Sequence, residues 1–272
     1  MILSLKYDKI YLLKFIINCL SLDLDLDIKI FGGKGIMLSV KNYTKTYDGK
    51  KNVVENVTFE VNSGDIFGFI GHNGAGKTTT IKSCVGILDF EGGEISINGN
   101  SIKTDPLKCK KDIAYLPDNP DLYEFMTGIK YLNFIADIYS VPTQTRNELI
   151  KKYGDAFEFS NSLTAGIDTY SHGMKQKLAI IGALIHSPKL LICDEPFVGL
   201  DPKSALAFKN IMHEMCDRGG AVLFSTHVLE VAEKLCNRIA IIMHGKLVAC
   251  GSIDEVKGTA SLEDVFMELV NE

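Results

Sequence analysis

Gly71-His72-Asn73-Gly74-Ala75-Gly76-Lys77-Thr78 fits the spacing G-x-x-x-x-G-K-[ST]. Glycines in such a run let the backbone curl until successive N–H groups point inward at phosphate oxygens. A helix starting near Lys77 aims the positive end of its dipole at the same charge. Lys77 is expected to bridge the β- and γ-phosphates of a nucleoside triphosphate, Thr78 to place its hydroxyl on Mg²⁺, and Thr79 to reach the α-phosphate. Asp194 and Glu195 close an apolar run over residues 189–193. A carboxylate at the end of a buried strand can face a phosphate loop. Asp194 is expected to hold Mg²⁺ through water, and Glu195 to orient and polarise the water that attacks the γ-phosphate. A Gly-rich turn that binds nothing and a solvated acidic turn are the plainer readings. An apolar strand before the loop and a helical run over 78–88 after it favour the phosphate chemistry.

Positioning these groups requires an α/β chain. From residue 38 onward strand-like and helix-like segments alternate, as expected of a largely parallel sheet. Residues 52–61 alternate like a half-exposed antiparallel strand, whereas 65–70, 189–193, 221–224 and 238–243 are short apolar runs suited to buried strands. The strand signal disappears over 118–170, where residues 122–138 and 145–159 carry helical spacing, so this block is read as a helical insertion. The composition fits a packed globule: 272 residues, 46% hydrophobic, 23% charged. A net charge of −5 argues against general nucleic-acid binding. Seven cysteines without a C-x-x-C pair suggest neither a disulfide framework nor a zinc site, and a reducing cytosol is expected. No run approaches the roughly 20 apolar residues needed to cross a bilayer.

The first 36 residues differ in character, being apolar and then acidic. They are expected to stand apart from the working domain, with translation starting at Met37; a genuine extension packing on a partner is the competing reading. A peptide from residues 1–36 in mass spectra of the native protein would rule out the Met37 start.

Taken together, the order of motifs resembles the ATP-binding subunit of ABC transporters, from about Met37 to the end of the chain. Tyr47 occupies the place of the aromatic that stacks on adenine in that family. Tyr170-Ser171-His172-Gly173-Met174-Lys175-Gln176-Lys177 looks like the family signature, whose helix start addresses the γ-phosphate of ATP held by the other subunit. Gly199-Leu200-Asp201-Pro202 looks like the dimer-contact loop, and Ser225-Thr226-His227 ends the next strand where the switch histidine sits. The resemblance implies a P-loop NTPase core with a parallel sheet, an antiparallel β subdomain and a helical insertion. Its domain would span 37–255, with 118–170 inserted and a helical tail at 256–272. ATP and Mg²⁺ are implied. Phosphate and base contacts would come from Tyr47, residues 71–79 (Gly71, His72, Asn73, Gly74, Ala75, Gly76, Lys77, Thr78, Thr79), Ser171, Gly173, Met174 and Asp201. The metal would meet Thr78, Asp194 and Asp118, with Glu195 and His227 catalytic.

Two positions depart from the family pattern. Asp118 stands where Gln is usual, adding negative charge near the γ-phosphate, and His172 replaces the first glycine of the signature. The resemblance further implies a homodimer, or a pair with a similar ATPase, that traps two ATP and drives a separately encoded membrane-spanning permease from the cytoplasmic face. No nucleic-acid partner is expected. Ser261-Leu262-Glu263-Asp264-Val265-Phe266 is similar to the ending of ATPases serving ABC-2 type exporters of drugs, peptides or antibiotics; a capped amphipathic helix is the plain reading of the same residues. The alternative function is a soluble switch ATPase acting on ribosomes or DNA. A phosphate-transferring kinase, which would need an acceptor-binding element, is a third.

Overall fold

The computed structural model describes residues 35–271. Most of the expected extension, residues 1–34, lies outside them. Alternation over Ile36–Thr46 (β1) and Asn52–Asn62 (β2) puts Leu38, Val40, Val57, Phe59 and Val61 on one buried face, and the two strands pair antiparallel. Gly92–Ile97 (β4) pairs antiparallel with β1 and Asn100–Ser101 (β5) with β4, completing a four-stranded sheet ordered β2-β1-β4-β5. The sequence signalled β2 but not β4, whose first residues are glycines.

The second sheet holds the chemistry. Ile66–Ile70 (β3), Ile113–Leu116 (β6), Leu190–Asp194 (β7), Ala221–Thr226 (β8) and Arg238–Met243 (β9) run parallel, and Lys246–Ser252 (β10) closes one edge antiparallel to β9. The order is β10-β9-β3-β8-β7-β6. Strands β3, β7 and β8 are buried along their whole length, which explains their unbroken apolar character.

A separate core lies on each face of this sheet. On one, Phe67 and Phe69 turn toward the antiparallel sheet and stack on Phe59 at 5.5 and 5.3 Å, with Ile81 of the helix Lys77–Cys84 (α1) packed in the same cluster. On the other, Ile66, Leu191, Val222 and Ile239 meet the helices of the insertion together with His172–Leu184 (α5), Pro202–Asp217 (α6) and Leu229–Leu235 (α7). A short helix, Pro106–Asp112 (α2), leads into β6. Helix α1 stops at Cys84, short of the expected end at residue 88. Gly86 adopts φ +70°, and the N–H groups of Ile87 and Leu88 both fold back to Lys82 O.

Between β6 and β7 no strand occurs. Ahead of α5 the block holds Gly128–Ile138 (α3), Thr143–Ala156 (α4) and two 3₁₀ turns. Helix α3 begins only after Thr127, whose hydroxyl accepts from Lys130 N, so residues 122–126 stay non-helical. Helix α4 ends before Phe157 because Glu158 takes the left-handed conformation, φ +51°, turning Phe157 and Phe159 into the core. At the end of the chain, Ile253–Lys257 (α8) spans the expected tail boundary and Leu262–Asn271 (α9) follows. Ser261 caps α9: its Oγ accepts from Asp264 N at 3.1 Å while Asp264 Oδ2 accepts from Ser261 N at 3.3 Å, the reciprocal box expected from the sequence. Leu262, fully buried, anchors it, and Phe266 and Leu269 pack against the same core.

Candidate functional site

The parallel strands deliver the site at their carboxyl ends, where open α/β sheets bind ligands. After β3 the chain turns through Gly71–Gly76 into α1. Gly76 has φ +107°, and a Cβ there would lie 2.8 Å from Val54 Cγ2, so only glycine fits. As the residue before α1 it offers no side-chain cap, and no acidic residue occupies the first turn. The N–H groups at that helix start are left for an anion. Lys77 is buried beneath the loop, its Nζ donating to Gly71 O at 2.6 Å and His72 O at 3.2 Å, with Glu195 Oε1 at 3.8 Å. Burial pulls the Lys77 amine below its ordinary range, and the nearby Glu195 and Asp194 carboxylates offset part of that fall.

A cavity of about 270 Å³ opens over the loop, and Gly74, Lys77, Thr78, Asp118, Asp194 and Glu195 are among the residues lining it. His72, Asn73, Gly76 and Thr79 share that lining, while Gly71 and Ala75 are buried below as scaffold. A second cavity, about 450 Å³, shares Val53 and Gly74 with the first and is bounded by Tyr47 and His244. Tyr47 is 62% exposed and its hydroxyl is 3.3 Å from Thr79 Oγ1. The ring is thus largely open beside the phosphate loop, as a stacking partner for a purine must be.

Asp194 ends β7 directly beside Ser225 at the end of β8. Ser225 Oγ donates to Asp194 Oδ1 and accepts from Glu195 N at 3.0 Å, so a single hydroxyl braces both acidic residues. The sequence reading gave Ser225 no role; the available signal was the pair of hydroxyl residues, Ser225 and Thr226, that ends an apolar buried strand. Glu195 departs from the strand with φ +46°. Its Oε1 lies 2.9 Å from His227 Nδ1, and a carboxylate there takes the Nδ1–H tautomer, which leaves Nε2 as an acceptor. Asp118 sits exposed at the rim, its Oδ1 accepting from Asn119 N.

The residues fit a hard divalent cation. Asp194 Oδ2 is buried without a hydrogen-bond partner, and the exposed Thr78 lines the same cavity, with Asp118 as a further oxygen donor. No group of three His, Cys, Asp or Glu among the described residues could hold a metal ion by itself. A few protein oxygens completed by substrate phosphates is the pattern magnesium takes.

The signature residues lie elsewhere. Ser171 caps α5 by accepting from Met174 N at 3.3 Å, but Ser171, Gly173, Met174 and Asp201 do not line the cavity over the loop. They are tied instead to the loop that follows Glu195. Lys177 pairs with Asp201 at 2.8 Å, Gln176 Nε2 donates to Pro196 O at 3.2 Å, and His172 seats its ring against Gly199. Gly199 has φ +80°, and a Cβ there would come within 2.5 Å of the imidazole Cδ2. His172, the departure in the signature, is therefore accommodated by an absent side chain in the facing loop. Asp201 also caps α6, accepting from Ser204 N at 2.9 Å. Its carboxyl is held far below the usual carboxylate range by the Lys177 hydrogen bond first and by Ser204 next.

Comparison with known proteins agrees with this geometry. The family description "ABC transporter" matches residues 54–198. The ABC-type transporter ATP-binding protein EcsA of Bacillus subtilis is 36% identical over 241 residues, covering 87% of this chain and 97% of that protein. The linearmycin resistance ATP-binding protein LnrL of the same organism is 35% identical over 219 residues, covering 79% of this chain and 69% of that one. A solved structure of an ATP binding subunit of an ABC transporter superposes with TM-score 0.83 at 36% identity, covering 86% of this chain and 99% of that one. A glycine-rich loop after buried β3, two acids closing β7 and a helix capped by Ser171 stand beside these matches, and the chain belongs to the ABC transporter family as an ATP-binding subunit with ATPase activity.

Proposed function

We propose that two copies, or this chain and a similar one, close head to tail around two ATP molecules and drive a separate membrane-spanning permease, acting as an exporter. The observation that carries this reading is the split of the site: the phosphate loop, Asp194 and Glu195 line one cavity, with His227 bonded to Glu195, while Ser171 and Gly173 neither line it nor bond to those residues. A half-site of this kind is completed only by a twofold-related partner.

In that arrangement Lys77 and the loop N–H groups hold the β- and γ-phosphates, and Tyr47 stacks on adenine. Thr78, Asp194 and Asp118 would hold Mg²⁺, which supplies charge neutralisation at the phosphates. Glu195 orients and polarises the attacking water, and His227 contacts the γ-phosphate. The partner's signature helix meets the same phosphate, and its loss on hydrolysis lets the pair reopen.

The permease contact is assigned to the helical insertion, which presents Phe125 at 83% exposure beside Tyr123 and Phe134. No helix among the described residues is long and apolar enough to cross a membrane. Attachment to the inner membrane face would then run through that partner. Export is favoured by the ending at residues 261–266 and by the printed function of the linearmycin-resistance relative.

The test is Glu195→Gln with Mg²⁺ and ATP, followed by light scattering. Stable dimers that hydrolyse slowly are expected. Full ATPase activity would mean another group orients the water, and a monomer under every nucleotide condition would overturn the clamp. Recovery with ribosomes or nucleic acid, instead of an integral membrane protein, would favour the soluble switch.

A further inference from the structure

Among the described residues, the buried side-chain atoms without a hydrogen-bond partner include Tyr115 Oη and Asp194 Oδ2. The fold brings this pair together. Tyr115 on β6 pairs with Ile192 on β7, and Asp194 follows two residues along β7, so the two side chains leave the same sheet face as diagonal neighbours. With strands about 4.8 Å apart and a two-residue rise of about 6.6 Å, the two Cα atoms stand roughly 8 Å apart, within reach of an aromatic side chain. Tyr115, itself partly buried, packs against the core that holds Ile113, Ile192 and Ile81 of α1, while its hydroxyl oxygen is buried.

Burial raises the Tyr115 phenol above its ordinary range, and the charges of Asp194 and Asp118 raise it further, so the hydroxyl lies in the field of both carboxylates. It stays protonated and is a hydrogen-bond donor, and Asp194 Oδ2, a carboxylate oxygen, is an acceptor. Left unmade, each such buried group costs about 1–3 kcal/mol. A water between them satisfies both at once.

We infer that Tyr115 is a positioning residue for Asp194: its hydroxyl, through one water, holds Oδ2 while Ser225 holds Oδ1, fixing the plane of the carboxylate beside the phosphate loop. This rests on the reading of Asp194 as a magnesium ligand. The ring fills the core whether or not it carries oxygen, so the hydroxyl is separable from packing.

Tyr115→Phe isolates it. Mn²⁺ is titrated into wild type and variant at saturating ADP, with free Mn²⁺ followed by electron paramagnetic resonance, alongside ADP affinity in EDTA and melting without nucleotide. The Mn²⁺ Kd should rise about tenfold, by analogy with other groups that orient metal ligands. Metal-free ADP affinity should hold and the melting temperature should not increase. An unchanged Mn²⁺ Kd overturns the inference. So does a variant that melts higher, because that is the mark of an idle buried hydroxyl removed. Failure of wild type to bind Mn²⁺ with ADP would instead overturn the metal reading itself, and is seen before any substitution is compared.

Discussion

Removing the Ser225 hydroxyl would leave Asp194 Oδ1 and the Glu195 N–H without their shared partner. Ser225→Ala is expected to lower kcat by about 10- to 100-fold, the range for supports of metal-bound groups. The KM for ATP should change little, since the loop that binds phosphate is untouched, and steady-state kinetics separate the two. Asp118→Gln should shift the Mg²⁺ concentration at half-maximal rate, and an unchanged curve would remove Asp118 from the metal's neighbourhood. At this scale the sequence was most legible where one motif carries the geometry. The loop at 71–78 needs only a strand before it and a helix after it, both encoded locally. Ser225 and Tyr115 were not legible, because their partners arrive through parallel pairing of strands far apart in sequence, and no local pattern specifies which strands become neighbours.

Among the elements, the tie between α5 and the loop before α6 makes a pH prediction. Lys177 depresses the Asp201 carboxyl in the folded state, so this contact contributes above the unfolded carboxylate range and is lost as pH falls through the lower folded value. Wild type should therefore melt above Asp201→Asn at neutral pH, with the gap closing below about pH 4, where an unfolded Asp takes up its proton. A gap that stayed constant with pH would assign the effect to helix capping alone. Helix α9 offers a second check. Leu262→Ala removes a fully buried anchor and should cost about 2–5 kcal/mol of whatever stability the docked tail contributes, measured by urea unfolding. The helical character of the insertion was readable from the disappearance of strand alternation. Its ends were not, because they are set by Thr127 capping α3 and by the left-handed turn at Glu158 after α4.

For the whole molecule, the layout separates what binds from what moves. The antiparallel sheet carrying Tyr47 is joined to the phosphate-loop face through Phe59, Phe67 and Phe69, whereas the signature helix packs on the opposite face. Relative motion of the insertion would leave the base and phosphate contacts of one chain intact. The left-handed backbone at Glu195 has a further consequence. A side chain there costs roughly 1–2 kcal/mol that glycine avoids, so Glu195→Gly should melt at a higher temperature while hydrolysing nothing. Once selection for turnover lapses, drift at this position should run toward glycine or asparagine. In a mixed pair of related subunits, the residue found there would tell a silent copy from a working one.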